Sequence, residues 1–307
     1  MQIYLPIAEI PVDVLFVLGA SLAVGFISGM FGIGGGFLMT PILIFIGVPT
    51  AVAVASEAPQ IAASAFTGAL AYWRRRAIDL KLGLVLLAGG VAGSGLGVWF
   101  FNAMRNAGQL DAVIAVAYVV LLGAIGGLML VESIRSILRR GEPPKPKRPA
   151  GGRGLADRLP LKLRFRRSMI YVSAIPLVGL GAFVGFVGAV LGIGGGFLLV
   201  PALVYVFRVP TAVVVGTSLF QILVTMLAST MMHAVTNGSV DILLATLLMI
   251  GGAVGSQFGV RVGQKLPGEQ LRLLLALLLL AVGARFLHQL AAAPDERFSV
   301  SITERGR

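Results

Sequence analysis

The 307-residue sequence has no cysteine and only two histidines, His233 and His288. That excludes disulfides, thiolate chemistry and any His/Cys metal cluster. Charge is scarce too: 12% of the residues are Asp, Glu, Lys or Arg, against about 25% in soluble domains. An ordinary soluble enzyme is therefore excluded. No Ser/His/Asp set, metal-ligand cluster or phosphate-binding P-loop can be read from the chain, so neither an enzyme nor a cofactor site is expected. The opening residues, MQIYLPIAEIPVD, contain no Lys or Arg. They lack the basic start of a cleaved signal peptide, so residues 12–31 are expected to stay as a first helix.

What is present is apolar sequence. The chain is 57% hydrophobic with a mean hydropathy of +0.94. Many runs approach the ~20 residues a helix needs to cross a bilayer core. The alternating ~10-residue segments of a membrane β-barrel do not occur. The fold class is thus an all-α polytopic membrane protein. The net charge of +12 is uneven: 12 of the 25 basic residues fall between Arg135 and Arg167. That stretch also holds Pro143, Pro144, Pro146, Pro149, Gly151 and Gly152, the composition of a disordered linker. Between membrane segments it reads as a cytoplasmic topology signal, with attraction to anionic lipid headgroups, rather than as a nucleic-acid site.

A duplication organises the rest. Residues 32–41 read GIGGGFLMTP and residues 192–201 read GIGGGFLLVP, eight identities in ten positions. The likeness continues through Val48-Pro49-Thr50 and Val209-Pro210-Thr211, then Gln60 and Gln221, then Gly89-Gly90 and Gly251-Gly252. Each copy breaks an apolar helix with three glycines and then a proline, residue types costing about 1 and about 3 kcal/mol in a helix interior. Opened backbone at membrane depth survives only inside protein or along a wet cavity. Paired breaks at matching positions point to a transporter's binding site.

Each half carries five apolar segments, near 12–31, 36–48, 51–73, 80–101 and 109–132, then 169–191, 196–208, 212–235, 240–262 and 270–290. The expected organisation is a first repeat at 1–132, a basic linker at 133–168, a second repeat at 169–292 and a polar tail at 293–307. The second segment of each repeat is short, a re-entrant hairpin or a broken crossing. Four crossings per repeat give parallel halves and five give inverted halves. Either arrangement places 20 of the 25 basic residues inside, so the positive-inside rule does not choose. The Lys- and Arg-free N-terminus and the demands of alternating access favour inverted halves.

Several residues are candidates for substrate contact. Backbone amides freed at Gly34, Gly35 and Gly36, and at Gly194, Gly195 and Gly196, precede short helices beginning near Phe37 and Phe197. Helix N-termini favour anions. The other reading of these glycines is close helix packing. The third segments add polar residues at helical spacing: Ser56, Gln60 and Ser64 in one repeat, Thr217, Gln221 and Thr225 in the other, with Ser218 beside them. Hydroxyls and amides can replace water around an anion, or simply bond neighbouring helices. Glu57 is charged in one repeat only, opposite Ser218. It is either a coupling residue inside the membrane or an exposed residue near the interface. His233 reads as an interfacial polar residue. Asp79 and Asp241 each stand before a fourth segment as acidic N-caps.

With its two GIGGGF-x-x-x-P elements and its polar third segments, ASEAPQ at 55–60 and GTSLFQ at 216–221, the chain resembles the TauE/SafE family. These are sulfite and organosulfonate exporters, also grouped as TSUP transporters. The resemblance runs from about residue 12 to 290. It implies a carrier in a bacterial-type inner membrane for small sulfur-containing or carboxylate-bearing anions, driven by the proton gradient. The basic linker and Glu57 depart from the family pattern. The leading expectation is secondary active export of sulfite or a sulfonate, with protons or another coupling ion as partner. An anion channel, or a carrier for thiosulfate or a small carboxylate, stands as the alternative.

Overall fold

The computed structural model describes residues 2–31, 36–138, 162–165, 167–168, 170–207, 209–263 and 268–291. Gly34, Gly35, most of the basic linker, Lys265 and the tail at 293–307 lie outside the described residues. The described chain is helical apart from two short hairpins. In the first half β1 (Gln2–Leu5) and β2 (Ile10–Asp13) precede α1 (Val14–Phe31), α2 (Gly36–Phe45), α3 (Thr50–Arg74), α4 (Leu80–Asn106) and α5 (Leu110–Leu138). In the second, β3 (Lys162–Phe165) and β4 (Ile170–Ser173) precede α6 (Ala174–Leu191), α7 (Gly196–Pro201), α8 (Thr211–Asn237), α9 (Ile242–Gly263) and α10 (Gly268–Ala291). A π-helical turn, Ala202–Val206, extends α7 beyond Pro201.

Seven of these helices, α1, α4, α5, α6, α8, α9 and α10, are long and apolar enough to cross a membrane. α3 has the length but carries the polar stripe of Ser56, Glu57, Gln60 and Ser64, all buried. That all-α polytopic architecture is the one composition demanded. The antiparallel hairpins were not expected. The first lies ahead of the helix read at 12–31 and takes only Val12 and Asp13 from it. The second takes in residues 162–165 and 167–168 of the stretch read as linker, and α5 also enters that stretch, to Leu138. The hairpins occupy matching places, and their last residues, Asp13 and Ser173, cap α1 and α6 by accepting backbone N–H groups.

Small residues set the packing. A Cβ at Gly25 would fall on the Gly252 backbone and one at Gly29 on the Ser256 backbone, while Gly263 lies against Met30. α1 and α9 therefore run side by side and parallel. α4 and α6 do the same, with Gly181 against Leu86, Gly185 against Gly90 and Gly97 against Phe186. Such close approach is how membrane helices gain van der Waals contact. α3 and α8 run antiparallel instead, because Gly68 meets Leu219 while Tyr72 meets Gly216. α5 and α10 are antiparallel as well, Gly126 meeting Leu280 and Gly283 meeting Leu122. Each half thus packs its outer helices onto the other half, and the broken segments lie between them.

Candidate functional site

The broken segments meet. α6 ends at Gly192 in the left-handed conformation, and Gly194 and Gly195 are left-handed too (φ +74° and +70°). Three such residues within four positions turn the chain from α6 into α7 with little steric cost only because they are glycine. Gly36, the described end of the first break, packs against the Gly192 carbonyl oxygen and Ile61. Gly194 lies against Ile61 and Ile222, and Gly195 against Val184. Gly196 starts α7 and is buried. Phe37 and Phe197 are fully buried, with ring centroids 6.2 Å apart and planes tilted by 37°.

α3 runs along both breaks. Its Val54 touches Gly192 and its Ile61 touches Gly36 and Gly194. The side chains between them are polar. Glu57 and Gln60 are fully buried and side by side; with the Gln60 amide turned so that its nitrogen faces the carboxylate, it donates to both Glu57 oxygens, Oε2 at 2.8 Å. Gln60 rests on Gly252, and Gln221 rests in the same way on Gly90. In both places the missing Cβ makes room for an amide. Gln221 Nε2 donates to Thr225 Oγ1 at 2.9 Å, while its Oε1 is buried without a partner. The hydroxyls of Ser218 and Ser64 are unpartnered as well. Orphaned buried polar atoms of this kind call for an explanation such as an absent ligand or water.

Ser56 and Thr217 are placed differently. The Asp241 backbone N–H donates to Ser56 Oγ at 2.9 Å, and that of Asp79 donates to Thr217 Oγ1 at 3.0 Å. Both hydroxyls thus bind the start of a fourth helix in the opposite half. The two aspartates are N-caps: Asp79 accepts from Leu82 N–H, and Asp241 from the N–H groups of Leu243 and Leu244. The other carboxylate oxygen of each takes a hairpin. Asp241 Oδ2 accepts Ile7 N–H at 2.9 Å, and Asp79 Oδ2 accepts the N–H and hydroxyl of Ser168 at 3.0 and 2.8 Å.

Of the two readings of Glu57, the exposed one is removed, because its side chain is fully buried. His233 is also fully buried. Its Nε2 donates to the Ala189 carbonyl at 3.0 Å and its Nδ1 accepts from Asn237 Nδ2 at 2.9 Å. The ring sits edge-on to Phe101. This is one of three side chains that collect carbonyls from the last turn of α6. Tyr118 of α5 donates to Leu191 O at 2.9 Å and Thr40 of α2 to Gly192 O at 3.2 Å. Sequence reasoning passed over Thr40 and Tyr118. A signal existed for Thr40, because the second copy of the motif has Val200 in its place.

The sulfite exporter TauE/SafE family profile matches residues 17–286. The chain belongs to that family. It is similar to the probable membrane transporter YunE of Bacillus subtilis, 26% identical over 285 residues that cover 90% of this chain and 97% of the relative. A second Bacillus subtilis protein, the probable membrane transporter YjnA, is 24% identical over 87% of this chain and 96% of its own length. A probable membrane transporter protein of Xylella fastidiosa is 28% identical over 80% and 84%. No solved structure gives a significant match. The TauE/SafE member described here is therefore a multi-pass membrane transporter and not an enzyme, with the bacterial inner membrane as its setting.

Proposed function

We propose that this family member is a secondary active carrier exporting a small anion, sulfite or an organosulfonate, in exchange for protons. The observation that carries the reading is the meeting of the two glycine breaks, Gly36 against Gly192 and Phe37 against Phe197, beside buried amides and hydroxyls. Polar groups without a formal positive charge suit an anion that must be released as well as bound. The Ser218 and Ser64 hydroxyls, which have no partner among the described residues, are donors suited to an anion. Gly194, Gly195, Gly196 and Phe197, with Gly36 and Phe37, form its backbone wall on this reading. Gln60, Gln221 and Ser218 supply its side chains.

Inverted halves fit the running directions of the helices. Parallel repeats would keep α3 and α8 parallel, and likewise α5 and α10, whereas both pairs are antiparallel. Inversion makes the pseudo-two-fold axis lie in the membrane plane, so residues that meet their own counterparts, Phe37 and Phe197, sit at mid-depth. That is where alternating-access carriers bind. The fully buried site corresponds to a closed state between two openings. Glu57 is the coupling residue in this scheme, since an ionised carboxylate would repel the substrate and a protonated one would not. Flux of a panel of anions (sulfite, thiosulfate, a sulfonate and a small carboxylate) into proteoliposomes, with and without a pH gradient, tests the proposal. Saturable, gradient-stimulated flux of one of them is expected. Flux that grows linearly with concentration would make the protein a channel.

A further inference from the structure

Four cations gather at one corner of the molecule, where the second hairpin docks on the turn between α3 and α4. Arg76 and Lys81 come from that corner, and Arg164 and Arg167 from β3 and the hairpin turn. They line two adjoining cavities of about 260 and 520 Å³, which share Leu80 and Arg167. Trp73 walls the smaller one. Arg167 is fixed there by donating to the Ile78 carbonyl at 2.7 Å. Among the described lining residues the acidic group is Asp79, which already accepts from Leu82, from the Ser168 N–H and from the Ser168 hydroxyl. The cavities therefore keep an excess of positive charge.

The matching corner of the other half is built alike without the charge. Arg76 has a left-handed backbone (φ +54°), as has Gly238 in its place (φ +56°). Leu243 stands where Lys81 stands, Tyr4 where Arg164 stands in the strand register, and Pro6 where Arg167 precedes the docking residue. Among the described residues Arg105 reaches that corner, and it is bonded to Ser239 Oγ and the Asn237 carbonyl. A topology signal requires cations on a loop. It does not require four of them from two separate segments around a shared hollow.

We propose that this corner is a second anion site, a basic vestibule that holds an oxyanion at the linker-side mouth of the protein. The ligand class is a small oxyanion in solution or the phosphate of an anionic lipid, recognised by the same guanidinium and ammonium groups. The inference stands on cavities and charges, and does not need the transport reading to hold.

Trp73 offers a direct probe. With Trp99→Phe, Trp73 is the sole tryptophan, and its quenching by iodide reports the local anion concentration while acrylamide reports access alone. In phosphatidylcholine vesicles at low salt, iodide quenching is expected to drop by about twofold or more in Arg164→Gln/Lys81→Gln, with acrylamide quenching unchanged, because a charged cleft concentrates counter-ions. Lys81 lies over the Phe165 ring of β3, 6.0 Å from its centroid, and unchanged acrylamide quenching checks that the hairpin stays docked in the variant. Sulfate is expected to suppress iodide quenching more than chloride at equal ionic strength. If phosphatidylglycerol in the vesicles suppresses it in the parent but not in the variant, the resident anion is a lipid headgroup. If sulfate alone does so, it is a free oxyanion. Equal iodide quenching in parent and variant overturns the vestibule.

Discussion

The Ser56 hydroxyl accepts the Asp241 backbone N–H at 2.9 Å, joining the third helix of one half to the fourth helix of the other. Thr217 and Asp79 repeat the bond at 3.0 Å. Two residues of the polar stripes thus join the halves, while Gln221 and Ser218 are buried with bonding capacity to spare. Ser56→Ala and Thr217→Val each leave a buried N–H without a partner. Each is expected to lower stability by about 1–3 kcal/mol, read as a fall in the melting temperature of the purified protein. Ser218→Ala removes an unpartnered hydroxyl and should leave the melting temperature unchanged.

The second break does not tolerate a side chain. A Cβ at Gly195 would strike Val184, and its φ of +70° lies in the left-handed region, where an L-residue costs roughly 1–2 kcal/mol. Gly195→Val is expected to insert in the membrane at parental levels and to abolish flux. Parental flux would remove the break from the transport path.

Glu57→Gln keeps one acceptor oxygen toward Gln60 and removes the titrating group. Anion flux is expected to persist while its stimulation by an imposed pH gradient disappears. Unchanged gradient stimulation would make Glu57 a bystander.

Inversion can be tested in intact cells without a substrate, because the chain has no cysteine. Thr236 and Arg76 are both exposed at matching corners of the two halves. An impermeant thiol reagent is expected to label Thr236→Cys and to spare Arg76→Cys. Equal protection of both would mean parallel halves.

Much of this was legible in the sequence because duplication writes the same element twice. The GIGGGF copies located both breaks, and the i, i+4 spacing of Ser56, Gln60 and Ser64 located the buried stripe. The N-caps at Asp79 and Asp241 followed from an acidic residue ahead of an apolar run. The hairpins were not legible, because short apolar strands such as Gln2–Leu5 differ little from the start of a membrane helix. Nor was the burial of His233, whose partner Ala189 contributes only a backbone carbonyl, a group no sequence distinguishes. Ser56 and Thr217 had the right spacing for a ligand stripe, but their partners are backbone amides some 140 to 190 residues away.

The anion site itself is the claim on which the rest depends. Its most direct measurement is equilibrium binding of whichever anion shows saturable flux to purified parent, Gln60→Ala and Gln221→Ala proteins. Each substitution is expected to weaken binding by roughly 1–3 kcal/mol, about 5- to 150-fold in Kd, with flux falling in step. Parental affinity in both variants would place the anion elsewhere and contradict the site.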